Sequence, residues 1–374
     1  MSCSRTLPAA RRLKHAQPLT NHVLTHSHIT ASTPLPLLLA LPVVNYGVGW
    51  GRANYHPGKL AGDFTDAGDF ALFLLEHLAS APAYDFDAWA EHWRAEIDER
   101  GYGACNFQSV GRDATGCPPG LRPGYLNGAT RRTLDAVRAH RSARGAARRA
   151  LAADVNCLFG ATRVAPLLAV PALAADESAL VAASVSQVFT THRHRDPIAA
   201  AEFLARAAFR LLNGEPLRAA LNGAANATGD AFIHARLAEA VAKVAEAADA
   251  STPLAQQGRF TDDAAITSLA RLWDVGRGEP IKVGKASPTE GALPASLYFA
   301  LRYENSLEAA LIANADCGGD SGARAMVIGL ILGLKHGEGG VPARWAEGLR
   351  AGAQVRAALA AIEARGEGVV GSEL

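Results

Sequence analysis

The sequence predicts an all-α protein. Ala and Leu dominate, while aromatic residues make up only 6% of the chain, a composition that favours helices over sheets. About a dozen segments carry apolar residues at helical spacing, and no series of alternating apolar and polar stretches reads as a set of strands. At 374 residues the chain is long enough for two domains or for one large helical unit.

Bulk properties narrow the partners. The net charge is +1 with 20% charged residues, so overall electrostatics points to neither nucleic acid nor an acidic partner. Five cysteines are odd in number, widely spaced and without a C-x-x-C pair. That pattern argues against a zinc ribbon or a disulfide framework and for a reducing, intracellular compartment. The first 62 residues contain no Asp or Glu but carry Arg5, Arg11, Arg12 and Lys14 among many Ser and Thr. Residues 1–35 therefore read as a disordered leader or an organelle transit peptide, which makes the compartment cytoplasmic or organellar. Leu37 to Val44 is apolar but short, and Pro42 breaks it, so no membrane span is expected there.

Taken in order, residues 45–51 form a glycine-rich loop that fits neither a dinucleotide-binding nor a P-loop pattern. Pro57 and Gly58 make a turn. Thr65 or Asp66 then caps a helix whose buried face includes Ala71, Leu72, Leu74, Leu75 and Leu78. Asp63, Asp66 and Asp69 crowd three carboxylates into seven residues. At a helix start they suit the dipole, yet they repel one another, and a nearby cation would relieve them. Phe86 to Arg100 is amphipathic, Gly101 to Tyr125 is a long loop, and Leu126 to Ala150 is a basic helix with a solvated face. Leu158 to Pro166 places Arg163 among apolar neighbours, where its charge needs a carboxylate, carbonyls or a ligand. Asp176 to Thr191 is helical and leads into His192 and His194. Their spacing suits a metal on an extended segment or a helix C-terminus. Further helices are expected over 197–212, 231–250, 264–273, 293–303, 307–316 and 342–364. Thr261 to Asp263 reads as a carboxylate pair or as a cap, at Thr261 or Asp262, before the helix at 264.

The stretch from Cys317 to Gly337 organises the chain. It opens with a glycine turn around Asp320 and becomes apolar on every side through Met326, Val327, Ile328, Leu330, Ile331, Leu332 and Leu334. A helix without a polar face belongs in the interior, and a run of about ten apolar residues is too short to cross a bilayer. Gly329 and Gly333 lie four apart and leave one face bare for a neighbouring helix. Asp320 and Ser321 suit a helix N-cap, and an acidic, glycine-flexible turn also suits an ion or a polar ligand.

Several motifs in this order resemble the ADP-ribosylglycohydrolase superfamily. They are D-F-T-D-A-G-D-F-A-L, Y-L-N-G-A-T-R-R-T-L, G-A-T-R-V-A-P-L, T-H-R-H-R-D-P-I-A-A-A, L-P-A-S-L-Y-F-A-L-R-Y, A-N-A-D-C-G-G-D-S-G-A-R-A-M and V-P-A-R-W-A-E-G-L. The resemblance spans about Leu38 to Ala364. It implies a single large all-α domain over 36–366, an orthogonal helix bundle around a central cleft, followed by a tail at 367–374. It also implies a dinuclear magnesium centre built from a Thr-Asp-Asp-Thr motif and a Gly-Gly-Asp-Thr-Asp-Thr motif. Magnesium takes oxygen ligands and keeps waters. Bound beside a ribose, it polarises the anomeric bond or orients a water.

Position by position, Thr65, Asp66 and Asp320 match the superfamily's ligands, and Ser321 stands where it has Thr. Ala67, Gly68, Gly322 and Ala323 replace its remaining carboxylates and hydroxyls. The resemblance therefore implies metal ligands Thr65, Asp66 and Asp320, with Asp69 and Ser321 as helpers, and one Mg²⁺ or none in place of two. Arg163, Arg324 and His192 are the expected ligand-binding side chains. Arg324, four residues after Asp320, is also a counter-charge for Asp320 or Asp66 in place of an ion. The G-G-D-S-G-A-R and D-A-G-D forms resemble the branch that holds the J-type crystallins and selenoprotein J. Three functions follow as expectations: an ADP-ribosyl N- or O-glycosidic hydrolase, a non-catalytic binder of a nucleotide-like ligand such as ADP-ribose, or a crystallin-like structural protein.

Overall fold

The computed structural model describes residues 55–111, 116–269, 271–273, 281–283 and 285–370, all within one compact unit, Thr33–Leu374. The leader and the glycine-rich loop at 45–51 lie outside the described residues. The fold is all-α, as expected. Helix α1 (Asp66–Ser80) and α2 (Phe86–Asp98) are followed by a long loop that holds the one-turn α3 (Phe107–Val110). Then come α4 (Gly128–Ala139) and α5 (Gly145–Ala150). Two 3₁₀ turns, Leu158–Ala161 and Ala165–Ala169, precede α6 (Pro171–Ala174), α7 (Glu177–Val188), α8 (Arg195–Leu212), α9 (Leu217–Thr228) and α10 (Ala231–Ala248). After α11 (Thr261–Ser268) the chain forms a short antiparallel hairpin, β1 (Arg271–Trp273) and β2 (Ile281–Val283), with Arg271 opposite Val283. The C-terminal part is α12 (Thr289–Arg302), α13 (Leu307–Asp316), α14 (Ser321–His336), α15 (Ala343–Gly348) and α16 (Gly352–Val370).

Helix α14 is the centre. Every residue from Ser321 to Gly333 is buried, because its sequence leaves no face for water. It packs against α12, α13, α8 and α1, and α1 packs in turn on α16. Ile328 and Leu332 are fully enclosed; burying such a side chain stabilises the fold by about 1.5–3 kcal/mol.

Several sequence expectations need correction. The helix expected over 126–150 is two helices, because the chain turns at residues 140–144 before Gly145 restarts it. Helix α9 was not anticipated; its small buried residues Ala220, Ala224 and Ala225 mark the face it turns inward. The helix expected over 264–273 begins at Thr261 and stops at Ser268, after which the chain becomes β1. No side chain caps it. Asp262 instead accepts hydrogen bonds from Tyr298 and Tyr303, at 2.7 and 2.5 Å, and pairs with Arg302. The cysteine reading needs correction in one respect, since Cys105 and Cys117 form a disulfide with Cα atoms 5.7 Å apart. The long loop folds back so that Cys105 bridges to Pro123, and distance along the chain gave no sign of it. Cys157 and Cys317 are free and buried. No helix among the described residues is long and apolar enough to cross a membrane.

Two predictions follow from the core. Ile328→Ala should cost about 2–5 kcal/mol in urea unfolding, because α14 is gripped on all sides and cannot collapse into the gap. His192 is fully buried, and burial, then the Arg163 charge, lowers its pKa to about 3. An unfolded His titrates near 6.5. The neutral ring's contribution is therefore complete above that value and is lost as pH falls towards 3. His192→Asn should reduce the loss of unfolding free energy between about pH 7 and about pH 5.

Candidate functional site

The turn before α14 is shaped by two consecutive glycines with positive φ, Gly318 at 67° and Gly319 at 72°. A β-carbon on Gly319 would stand 2.3 Å from the Lys285 carbonyl oxygen. Only glycine passes beneath that strand of backbone. The Asp320 N–H then donates to the same carbonyl at 2.8 Å. The Asp320 carboxylate accepts from the Ala323 N–H at 3.4 Å as the N-cap of α14.

Facing it is the start of α1. Thr65 is the N-cap residue, yet its hydroxyl makes no cap bond. Instead Thr65 Oγ1 lies 2.8 Å from where a β-carbon on Gly322 would be. Asp66 follows, and the Asp66 and Asp320 carboxylates feel each other. Burial, then the charges of Asp320 and Asp69, hold Asp66 well above the usual carboxylate range. Burial also raises Asp320, against the pull of Arg324. The structure thus brings Thr65, Asp66 and Asp320 together from opposite ends of the described chain.

The other expected site residues divide. Asp69 is engaged elsewhere. Lys59 Nζ donates to both of its oxygens, at 2.8 and 2.7 Å, and the Tyr102 hydroxyl donates at 2.8 Å. With Lys59, Asp69 borders a cavity of about 210 Å³ that Glu76, Arg122 and Arg350 also line. Ser321 is fully buried, and its hydroxyl has no hydrogen-bond partner among the described residues.

Arg324 makes no direct ion pair with Asp320 or Asp66 among the described residues, but its charge lowers the Asp320 pKa against the effect of burial, so it is a counter-charge to Asp320 at a distance. Its Nε donates to Asn314 Oδ1 at 2.7 Å, Nη2 to the Gly318 carbonyl at 2.6 Å, and Nη1 to the Lys285 carbonyl at 3.3 Å. It acts on Asp320 through charge and by fixing the turn.

Arg163 and His192 lie in a different layer, fully buried. Arg163 donates to Gln187 Oε1 at 2.7 Å and Thr191 Oγ1 at 3.1 Å and lies over the Phe159 ring. Burial lowers its pKa to about 10. His192 Nδ1 is 2.8 Å from Thr191 Oγ1, whereas His194 is half-exposed and accepts from the Asp196 N–H as the cap of α8. The two histidines thus differ in burial and in hydrogen-bond partners.

Sequence reasoning missed three neighbours. His56 Nε2 is 4.0 Å from Asp66 Oδ1, and burial, then Lys59, lowers its pKa to about 4. Lys59 supplies the Asp69 partner; its place in the H-P-G-K turn, shortly before Asp66, was the only available signal. Burial, then the charges of Asp320 and Asp66, push the Cys157 thiol up to about 12, and nothing in the sequence pointed to it.

Among the described residues, no cluster of three His, Cys, Asp or Glu side chains could hold a metal. Thr65, Asp66 and Asp320 offer two carboxylates and one hydroxyl, a donor set that fits one hard cation completed by waters. Gly322 and Ala323 bring no ligand atoms, and the Thr65 side chain fills the space that a side chain at 322 would need.

Residues 18–369 match the family described as ADP-ribosylglycohydrolase. The chain belongs to that family. A solved structure titled "ADP-ribosylglycohydrolase-related protein complex" has a similar fold. The TM-score is 0.51 at 20% identity, covering 89% of this chain and 93% of that one. None of the curated proteins compared matches the chain. Within the ADP-ribosylglycohydrolase fold, the Asp66–Asp320 pair sits where the start of α1 meets the start of α14.

A titration separates this pair from ordinary carboxylates. Both pKa values are raised in the folded state, so folding binds extra protons at mildly acidic pH, and stability falls as pH rises out of the unfolded carboxylate range. Asp66→Asn removes that repulsion. In metal-free buffer it should be more stable than wild type at about pH 7 in urea unfolding, with the advantage shrinking towards about pH 4.

Proposed function

We propose that this family member binds an ADP-ribosyl group beside Asp66 and Asp320 and hydrolyses its N- or O-glycosidic bond with one Mg²⁺. The convergence of Thr65 and Asp66 with Asp320 supports this reading. Two partly buried carboxylates, Asp66 raised in pKa by the charge of Asp320, are costly to keep charged together, and a cation between them offsets that cost. Bound there, Mg²⁺ supplies Lewis-acid polarisation and orientation of the ribose diol or of a water. Thr65, Asp66 and Asp320 hold it. Arg324 keeps the Gly318–Gly319 turn rigid so that Asp320 is presented at a fixed point. His56, with its pKa near 4, is neutral at physiological pH and adds no competing charge next to Asp66.

A second reading has its own support. Gly322 and Ala323 stand where the resemblance implies further ligands. A member so depleted suits binding without turnover, or a structural role of the kind implied by the J-type crystallin resemblance.

Release of ADP-ribose from Arg-, Ser- and acetyl-linked substrates, with and without Mg²⁺, separates these readings. The hydrolase reading expects Mg²⁺-dependent release from at least one substrate. It also expects about a 100-fold loss or more in Asp66→Ala or Asp320→Ala, and one ion per chain by calorimetry. No release from any substrate, together with ADP-ribose binding, selects the non-catalytic reading. Absence of both selects the structural one.

A further inference from the structure

The loop that borders the site is covalently closed, and the closure touches the site's own partners. Cys105 and Cys117 are joined across a separation of 12 residues. On one side, the Cys105 N–H donates to the Arg122 carbonyl at 3.1 Å, and the Gly124 N–H donates to the Cys105 carbonyl at 3.0 Å. These bonds fix where Tyr125 begins. The backbone of Tyr125 helps to hold the Tyr102 hydroxyl, which donates to Asp69 at 2.8 Å. The charge of Asp66 reaches the Tyr125 hydroxyl and raises its pKa, after burial. On the other side, Cys117 Sγ lies 2.7 Å from where a β-carbon on Gly58 would be. The disulfide therefore packs closely against the turn that carries His56 and Lys59, with room there only for glycine. The first stands 4.0 Å from Asp66 and the second 2.7 Å from Asp69.

We propose that the Cys105–Cys117 disulfide is a positioning clamp for the site. When closed it holds the turn with His56 and Lys59 and the loop with Tyr102 and Tyr125 against the start of α1; when opened it releases both. Ligand affinity at Asp66 and Asp320 is then set by redox state. Opening is a two-electron step. A dithiol reductant transfers two electrons and two protons to the S–S bond, two thiols form, and the reductant becomes a cyclic disulfide. The ligand arm of the test rests on the ADP-ribosyl reading above; the exchange arm does not.

The full-length chain is compared after isolation without reductant and after treatment with a dithiol, with Cys105→Ala/Cys117→Ala as a third sample. Thiol titration should give two more thiols per chain after reduction. Hydrogen exchange at the amides of Lys59, Cys105 and Gly124 should be about tenfold faster in the reduced and double-variant proteins, with amides inside α14 unchanged. ADP-ribose should bind about fivefold or more weakly in both. Reduction of the wild type keeps the test valid where the double variant fails to fold. Equal exchange at these amides in both redox states overturns the clamp, as does a full complement of thiols before reduction. Faster exchange on reduction without ADP-ribose binding in either state supports the clamp and removes the ligand. Faster exchange with unchanged ADP-ribose affinity overturns the claim that redox state sets affinity.

Discussion

A buried guanidinium holds the site in shape. Arg324 is almost fully enclosed and spends its donors on Asn314 and on the carbonyls of Gly318 and Lys285. Burial of an Arg without such acceptors is strongly unfavourable, so the turn and the Lys285 backbone are locked to α13 and α14 as one unit. Asp320 inherits its position from that lock. Gly319 permits it because the turn passes directly beneath the Lys285 carbonyl, and Gly318 because its φ is positive. Without that arrangement Asp320 would be an ordinary helix cap facing solvent.

The electrostatics around α1 separates two carboxylates only three residues apart. Asp69 is satisfied by an ammonium and a phenol. Asp66 meets another carboxylate and is pushed up in pKa. One acid is thus part of the scaffold, and the other stores repulsion that a cation or a proton releases. Such a division is common where a fold carries chemistry, because a charge left uncompensated in the resting protein is available to a ligand.

The buried layer behind the site follows different rules. Arg163, Gln187, Thr191 and His192 are linked by neutral and charge-assisted hydrogen bonds, while His192 Nε2 has no partner among the described residues. Cys157 lies between this layer and the carboxylates, and the electrostatic coupling of its thiol to Asp320, Asp66 and Arg163 connects the two. The layer supports the 3₁₀ segment and α7 and presents no open surface to a ligand.

The sequence by itself determined the helical class and the inward burial of α14, and its likeness to ordered family motifs marked Asp66 and Asp320 as candidate partners. The first two are written locally, in helix-forming composition and in an apolar run without a polar face; the third rests on the order of motifs along the whole chain. It did not determine that α9 exists, that the basic helix breaks at 140–144, or that residues 271–273 leave the helix for a strand, because those boundaries are set by packing rather than by propensity. Nor did it determine the partners. Lys59 meets Asp69, Arg324 turns to carbonyls instead of acids, and Cys105 meets Cys117. Each of these contacts joins groups whose side chains reach several ways, and only the folded backbone selects one. The sequence specified which charges are present, and the tertiary structure decided which of them are left unpaired.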